Sequence, residues 1–305
     1  MKRILCALGV VAGMFVLYPA QAAEKITPSH VYQVVDNVVY ELELLLDANF
    51  SDADVAMVPA KNKRPRHVIQ GAQEVLRKIS VLKQINGLSM DPVAPLPVRE
   101  ITPADVKTQV DRILQEVRDL RPVFQITKTA KTASLQDGKT PSDVYARMLQ
   151  ASAMIDRLDI PAIVPNDVYR LALAIVSDVK QIHASVGSTA PAQVSGDFSS
   201  KKPPHVYAHG HDVLVALKGL VEQSEAFEVA GGIAVPPKKE GKLVPADVLE
   251  MLNTILAELS SLKVSSGAKE PTPVIPPQSG KTPGNVYEQL EIAMSYVQVM
   301  KEGAL

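Results

Sequence analysis

The sequence is organised around the stretch Thr140-Pro141-Ser142-Asp143-Val144-Tyr145, which has the composition of a helix start. A threonine at the N-cap position can accept a hydrogen bond from an early backbone N–H, and a proline at the first helical position has no N–H to leave unpaired. Asp143, at the third helical position, can bond back to the N–H of the cap residue and complete a capping box. The stretch therefore predicts a helix that begins at Pro141.

The same kind of start occurs eight times along the chain. In each copy a proline is followed two residues later by Asp, His or Asn, and then by valine. The predicted first helical residues are Pro28, Pro65, Pro103, Pro141, Pro165, Pro203, Pro245 and Pro283. Eight helices, all opened by one device, are typical of a tandem helical repeat.

Behind each start, apolar or small residues recur at fixed spacings. Counted from the valine, they occupy offsets 0, 4, 7, 11 and 14 in every copy, as in Val31, Val35, Val38, Leu42 and Leu45 of the first. Alternating steps of four and three average 3.5 residues, the heptad spacing of helices that pack side by side. The pattern predicts an all-α fold of eight heptad-patterned helices.

The eight copies are related by an internal duplication. Gly138-Lys139-Thr140-Pro141 returns as Gly280-Lys281-Thr282-Pro283, and the steps between successive prolines are about 38 residues except for one of 24 in the middle. Dividing the chain at that short step predicts a first four-helix bundle over residues 23–160 and a second over residues 161–305. A short linker joins the two predicted bundles.

The other connectors are long and rich in proline. Each spans roughly 16 to 21 residues, more than the 2 to 8 usual in helix bundles, so strand-like return segments and parallel neighbours can be accommodated. The linker 159–164 reaches only about 20 Å, whereas an 18-residue helix is about 27 Å long. We therefore expect the fourth and fifth helices to be antiparallel or stacked end to end, and leave the order within each half open.

The residue before each cap alternates along the chain. Odd-numbered helices are preceded by Ile26, Ile101, Ile163 and Leu243, and even-numbered helices by Lys63, Lys139, Lys201 and Lys281. An apolar residue there can pack on the valine at the fourth helical position as a hydrophobic staple, whereas we expect the lysines to point into solvent. The repeating unit is therefore predicted to be a helix pair.

The first 22 residues have the features of a signal peptide. Lys2 and Arg3 precede an uncharged apolar run over residues 4–17, and Ala20-Gln21-Ala22 is a small-residue cleavage site. Cleavage after Ala22 would remove Cys6, the only cysteine. We expect a periplasmic or secreted protein without disulfides. No later run is long and apolar enough to cross a membrane.

The charge balance excludes a nucleic-acid partner. Of 32 basic residues Lys2 and Arg3 leave with the signal peptide, so the remaining chain has 33 acidic residues and a formal charge of −3. Nucleic-acid binding requires a basic footprint. A protein or another component of the cell envelope is therefore the expected partner, and the sequence leaves the oligomeric state open.

Five tyrosines occupy the fifth helical position, and they are the first set of candidate binding residues: Tyr32, Tyr145, Tyr169, Tyr207 and Tyr287. The structural interpretation is that each ring covers the proline one turn earlier. The functional interpretation is an aromatic surface for a ligand or partner, which requires several helix starts to share one end.

Histidines form the second set. His205 and His209 are one helical turn apart and could share a metal ion, with His183 as a third ligand if the fifth and sixth helices are antiparallel. The structural interpretation is that they are solvated residues near a helix start. Basic clusters before several starts, such as residues 61–66, provide a weaker indication of an anion site.

Recognisable catalytic motifs are missing from the sequence: it has no phosphate-binding glycine loop, nucleophile elbow, His-Glu-x-x-His pair or haem-attachment motif. We therefore expect an exported, non-catalytic helical-repeat protein without a cofactor, which acts as a binding or scaffolding module in the cell envelope. The alternative is a small-ligand or metal-binding protein that uses the histidine cluster of the second half.

Overall fold

The protein is all-α. A computed structural model describes residues 25–187, 189–191, 193–224 and 226–303, and the predicted signal peptide and cleavage site lie outside them. Within these ranges there are eight α-helices and no strand. The helices are α1 (Pro28–Ala48), α2 (Pro65–Ile85), α3 (Pro103–Arg118), α4 (Pro141–Asp156), α5 (Pro165–Val186), α6 (Pro203–Gln223), α7 (Pro245–Ser266) and α8 (Pro283–Glu302). Each begins at the predicted proline.

One hydrogen bond recurs at every helix start. The side chain at the third helical position, whether Asp, His or Asn, accepts a hydrogen bond from the backbone N–H of the cap residue at 2.8 to 3.2 Å. At Thr102, Thr140 and Thr282 the cap hydroxyl also accepts from the N–H at that third position. Val164 and Val244, the caps of α5 and α7, have no oxygen to offer.

Every position of the predicted apolar template is buried. Those of α1 to α4 form one hydrophobic cluster, and those of α5 to α8 form another. Leu120 and Leu158 lie just beyond the ends of α3 and α4 and are buried as well. Ile26, Ile101, Ile163 and Leu243 are partly buried against these clusters, as expected of hydrophobic staples.

The four helices of each group are parallel. The first-position prolines and fourth-position valines of α1 to α4 line one shallow apolar recess, and those of α5 to α8 line another. All four helices of a group therefore begin at the same end. In the first group α1 and α2 each contact α3 and α4, and in the second α5 and α6 each contact α7 and α8, so the arrangement is the same in both.

The connectors run back along the helices to make this arrangement possible. The described connector residues form no strand, and the connector between α3 and α4 is held by side chains that bond to its backbone. Gln33 Nε2 donates to the carbonyl of Ala133 at 2.9 Å, and Asn37 Oδ1 accepts from the N–H of Ala133 at 2.8 Å. Two amide side chains of α1 thus fix the connector between α3 and α4, and Ala133 is buried.

The two groups lie side by side and point in opposite directions. Arg66, at the start of α2, bonds to Glu258 and Ser261 near the end of α7. Arg77, in the second half of α2, lies 4.0 Å from Asp167 at the start of α5. Since α5 and α7 begin at one end, the first group is antiparallel to the second, which confirms the antiparallel alternative for α4 and α5.

An ion pair with a buried carboxylate occupies equivalent positions in both groups. Asp178 of α5 accepts from Lys263 of α7 at 2.7 Å, and both side chains are almost wholly buried. Glu41 of α1 pairs with Arg121 after α3 at 2.6 Å, at the positions that the duplication aligns with Asp178 and Lys263. None of the described helices combines the length and hydropathy that a bilayer-spanning segment needs.

Candidate functional site

The two groups meet mainly through α2 and α7, the helices whose backbones come closest between them among the described residues. At the centre lies Glu258, whose side chain is fully buried. Its Oε2 accepts from Arg66 Nε at 3.1 Å and Nη2 at 2.8 Å, and its Oε1 lies 2.9 Å from His67 Nε2. The backbone N–H of Ala234 also donates to Oε1 at 2.9 Å, so every oxygen of the carboxylate is satisfied.

The hydrogen bonds fix the protonation states of this network. His67 Nδ1 accepts from the N–H of Arg64 at 3.1 Å, so the ring proton resides on Nε2 and is donated to Glu258. Burial lowers the pKa of His67, only partly opposed by Glu258. Burial alone would raise the pKa of Glu258, but the hydrogen bond from His67 and the charge of Arg66 hold this pKa below its usual range. A neutral histidine therefore faces a carboxylate.

The same arginines fix the connector between α6 and α7. Arg64 donates to the carbonyls of Ala230 and Gly231, and Arg66 Nη2 donates to that of Gly232 at 2.8 Å. Both glycines have positive φ, 69°, a conformation that suits a residue without a Cβ. Residues of the first group thus position a segment of the second, which leads directly into the wall of a cleft.

This cleft lies between the two groups and has a volume of about 560 Å³. One wall comes from α4 and residues 56–63, and the other from α6, α7 and residues 234–239. Its apolar lining includes Val58, Leu149, Ala153, Val235 and Met251. Its polar lining includes Lys61, Lys63, Tyr145, Tyr207, Lys239, Asp247 and Glu250. An apolar cleft with a few polar groups, at the junction of two units, is the usual form of a ligand site.

A second cleft, of about 370 Å³, lies between α2, α5 and α7. Arg77, which lines this cleft, pairs with Glu74 at 2.7 Å and lies near Asp167. Arg170 donates to the carbonyl of Ile275 at 2.9 Å. Lys263, the third cation of this lining, pairs with Asp178 at 2.7 Å. Because all three cations are occupied, the first cleft is the stronger candidate site.

The lysines before the even helices do not point into solvent as the sequence suggests. Each is half-buried and lies over the fifth-position tyrosine of a neighbouring helix, an arrangement that the parallel helix starts make available. Lys63 covers Tyr145 at 4.5 Å, Lys139 covers Tyr32 at 4.3 Å, Lys201 covers Tyr287 at 4.2 Å and Lys281 covers Tyr169 at 4.7 Å from ring centroid to Nζ. A cation at this distance from a ring face is attracted by the negative charge of that face.

The five tyrosines are not gathered on one surface. Tyr145 and Tyr207 both line the larger cleft, and the hydroxyl of Tyr207 accepts from the N–H of Lys239 at 3.1 Å. Tyr32, Tyr169 and Tyr287 do not line it. A role in binding for the tyrosines therefore stays a prediction, and the geometry favours Tyr145 and Tyr207.

The three histidines proposed as metal ligands have separate contacts. His205 Nδ1 accepts from the N–H of Lys202 at 3.0 Å, and His209 stacks on Tyr287 at 4.5 Å. His183 contacts the carbonyl of Thr189 at 2.8 Å near the end of α5. Since α5 and α6 are parallel, His183 lies towards the opposite end from His205.

Across the ranges that the structure describes, no three His, Cys, Asp or Glu side chains are grouped so as to hold a metal ion. Burial lowers the pKa of His209, partly offset by Glu291, whose Oε1 lies 3.6 Å from Nε2. The metal hypothesis stays a prediction to which this geometry adds no support.

The residues that join the two groups are the part of the site that the sequence analysis missed. In the sequence, Arg66 is part of a basic cluster before α2, and no motif singles out Glu258. The duplication carries a signal, because Arg66-His67 of α2 aligns with Pro204-His205 of α6. The histidine is shared, but the arginine is replaced by proline in the second copy, and a charged residue that only one copy has at its helix start indicates a contact that the other copy does not make.

Comparison with known proteins gives no relative for this chain. No family model matches it, and no curated protein or solved structure matches it either. The cleft and the residues around it are consequently the basis for assigning a function.

Proposed function

We propose that this protein is an exported, non-catalytic binding module of the cell envelope, built from two four-helix bundles with heptad-spaced cores. The bundles correspond to residues 23–160 and 161–305, and the binding site is the cleft between them. Two separate hydrophobic clusters and the repeated helix order support the division into bundles. The export rests on the signal-like features of residues 1–22.

One observation carries the proposed binding function. The cleft of about 560 Å³ contains a half-buried cation, Lys63, which forms no ion pair within the described part of the chain. The most buried carboxylates of the helices, Glu41, Asp178 and Glu258, have structural partners instead. The cleft therefore combines apolar walls with a cation that has no ion pair among the described residues, which favours binding over chemistry.

The test places a photoreactive amino acid at Val58, which is 66% exposed and lines the cleft. Irradiation of intact cells is expected to give a defined adduct. The control position is Val215, which is 49% exposed on α6 and does not line the cleft. The adduct from Val58 is expected to disappear when Ala153→Trp fills the cleft. No adduct, or equal adducts from both positions, would contradict the proposal.

Export is tested separately, by cell fractionation and amino-terminal sequencing of the protein. We expect it in the periplasm or medium, with Ala23 as its first residue. A protein that is found in the cytoplasm and retains residues 1–22 would contradict the export part of the proposal. It would not affect the proposal that the cleft is a binding site.

A further inference from the structure

Lys63 differs from three lysines that otherwise match it. Lys63, Lys139, Lys201 and Lys281 occupy the same position before a helix, and each lies over a tyrosine of a neighbouring helix. The duplication aligns Lys63 with Lys201 and their rings Tyr145 with Tyr287. Only Lys63 of the four lines either inter-group cleft. The contact with the ring therefore explains all four lysines, but not the cleft location of this one.

The charge in the cleft is not balanced. Lys239 Nζ lies 3.0 Å from Asp247 Oδ1 and 2.7 Å from Glu250 Oε2, so both acidic residues of the lining face an internal cation. Lys61, on the exposed rim, and Lys63 have no such partner among the described residues. Burial lowers the pKa of Lys63, partly opposed by Glu250 and Glu258. The lining therefore has three lysines against two carboxylates, an excess of one positive charge that can meet one negative group.

The remaining walls suit an apolar body. Leu149 and Ala153 of α4 face the cleft from the first group, and Val235, Pro236 and Met251 face it from the second. A volume of about 560 Å³ lies within the range of sites that enclose small organic ligands. Apolar walls on both sides and amines at one edge define an amphipathic ligand.

We propose that the cleft binds a small organic anion, with one carboxylate or sulfonate group on an apolar ring system, and that Lys63 is its anchor. The anionic group meets Lys63, with Lys61 nearby on the rim, and the apolar body lies between Leu149 and Met251. This proposal rests on the proposed binding function and specifies its ligand class.

The experiment uses two fluorescent probes that differ by one charge. Anilinonaphthalene sulfonate has an aromatic body with a sulfonate, and phenylnaphthylamine is the same body without it. Each is titrated into the whole purified protein, its Lys63→Gln variant and its Lys201→Gln variant. Lys201→Gln is the matched control because it removes the same contact with a tyrosine ring outside the cleft.

We expect Lys63→Gln to weaken binding of the sulfonate about tenfold, the magnitude of one charge-assisted hydrogen bond. Lys201→Gln is expected to leave that affinity unchanged, and neither variant should alter binding of the uncharged probe. Circular dichroism and thermal unfolding establish that both variants are equally folded, so that the dye reports on the cleft and not on loosened structure.

Other outcomes would overturn the anion proposal. These are equal sulfonate affinity in Lys63→Gln and the unchanged protein, an equal loss in both variants, or no saturable binding of the sulfonate. The cleft itself is tested by two further results: loss of binding of the uncharged probe in Ala153→Trp, and the adduct from Val58 in intact cells. If either is observed, the cleft remains a binding site and only the anionic class of the ligand is wrong. If these also fail, the proposed function fails with it.

Discussion

At the scale of the residue, the N-cap shows how far a local rule governs this chain. Thr102 caps α3 with its hydroxyl, whereas Val244 caps α7, the equivalent helix of the second group, and is 41% exposed. Val164, the cap of α5, is 44% exposed. Valine and threonine have the same shape, but only threonine supplies the oxygen that an N-terminal N–H requires. Two exposed cap positions of the second group therefore lack this stabilising interaction.

The exchange of these caps gives a matched prediction. Val164→Thr is expected to raise the free energy of unfolding by about 1 kcal/mol, and Thr102→Val to lower it by about the same amount, because each gains or loses one cap hydrogen bond. Urea denaturation monitored by circular dichroism measures both. If Val164→Thr lowers the free energy of unfolding, the apolar contacts of this valine contribute more to stability than a cap hydrogen bond does.

At the scale of the element, the helices could be predicted from the sequence and their mutual order could not. Capping residues and prolines act within one turn, so all eight starts follow from local physics, as do the buried template positions. Parallel packing depends on connectors that can return along a helix, and their length permits either direction. The lysine over each tyrosine was missed because the ring belongs to another helix.

The cleft was missed for a related reason. Its lining combines residues 56–63 with residues 234–239, which are ordinary connector sequence until the fold brings them together. Arg66 and Glu258 are 192 positions apart, and within its own stretch of sequence each is typical of a charged residue exposed to solvent. Contacts between two copies of a repeat produce no periodic pattern in the sequence, because the repeated residues are those that each copy needs for its own packing.

The duplicated ion pair also belongs to the element scale, because it joins two helices in each group. Lys263→Met is expected to cost about 3 kcal/mol, since it leaves the buried carboxylate of Asp178 without its cation. The double variant Asp178→Leu/Lys263→Met should recover most of that loss. Arg121→Met in the first group should cost less, because Arg118 Nε still donates to Glu41 at 2.9 Å.

Thermal and urea unfolding measure this series. A cost that is the same for Lys263→Met and for the double variant would mean that apolar side chains cannot replace the pair in this packing. An equal cost for Arg121→Met and Lys263→Met would mean that Arg118 does not sustain Glu41.

At the scale of the whole molecule, stability is expected to depend on pH through the junction of the groups. Burial lowers the pKa of His67 in the folded protein, so between this value and about 6.5 the unfolded chain binds a proton that the folded one does not. The contribution of His67 is complete above pH 6.5 and is lost as the pH falls, by up to about 1.4 kcal/mol per pH unit.

The variant His67→Asn removes this titration and keeps an acceptor for the cap, as Asn285 does at the start of α8 with a bond of 3.0 Å. We expect it to be less stable than the unchanged protein at pH 7.5, and the gap to narrow at pH 5.5. Urea denaturation at both pH values measures the gap. If the difference in unfolding free energy is constant or widens at low pH, His67 is not the group that makes stability depend on pH. The other histidines are the same in both proteins and do not affect the difference.

The parallel order of the helices has an electrostatic consequence. A helix has the equivalent of about half a positive charge at its first turn and half a negative charge at its last, so four aligned helices give poles of about two charges each. One group alone would be a strong electric dipole. Because the second group points the other way, each positive pole lies beside a negative one. The two groups thus form a self-compensating pair, in which the dipole of each group opposes that of the other.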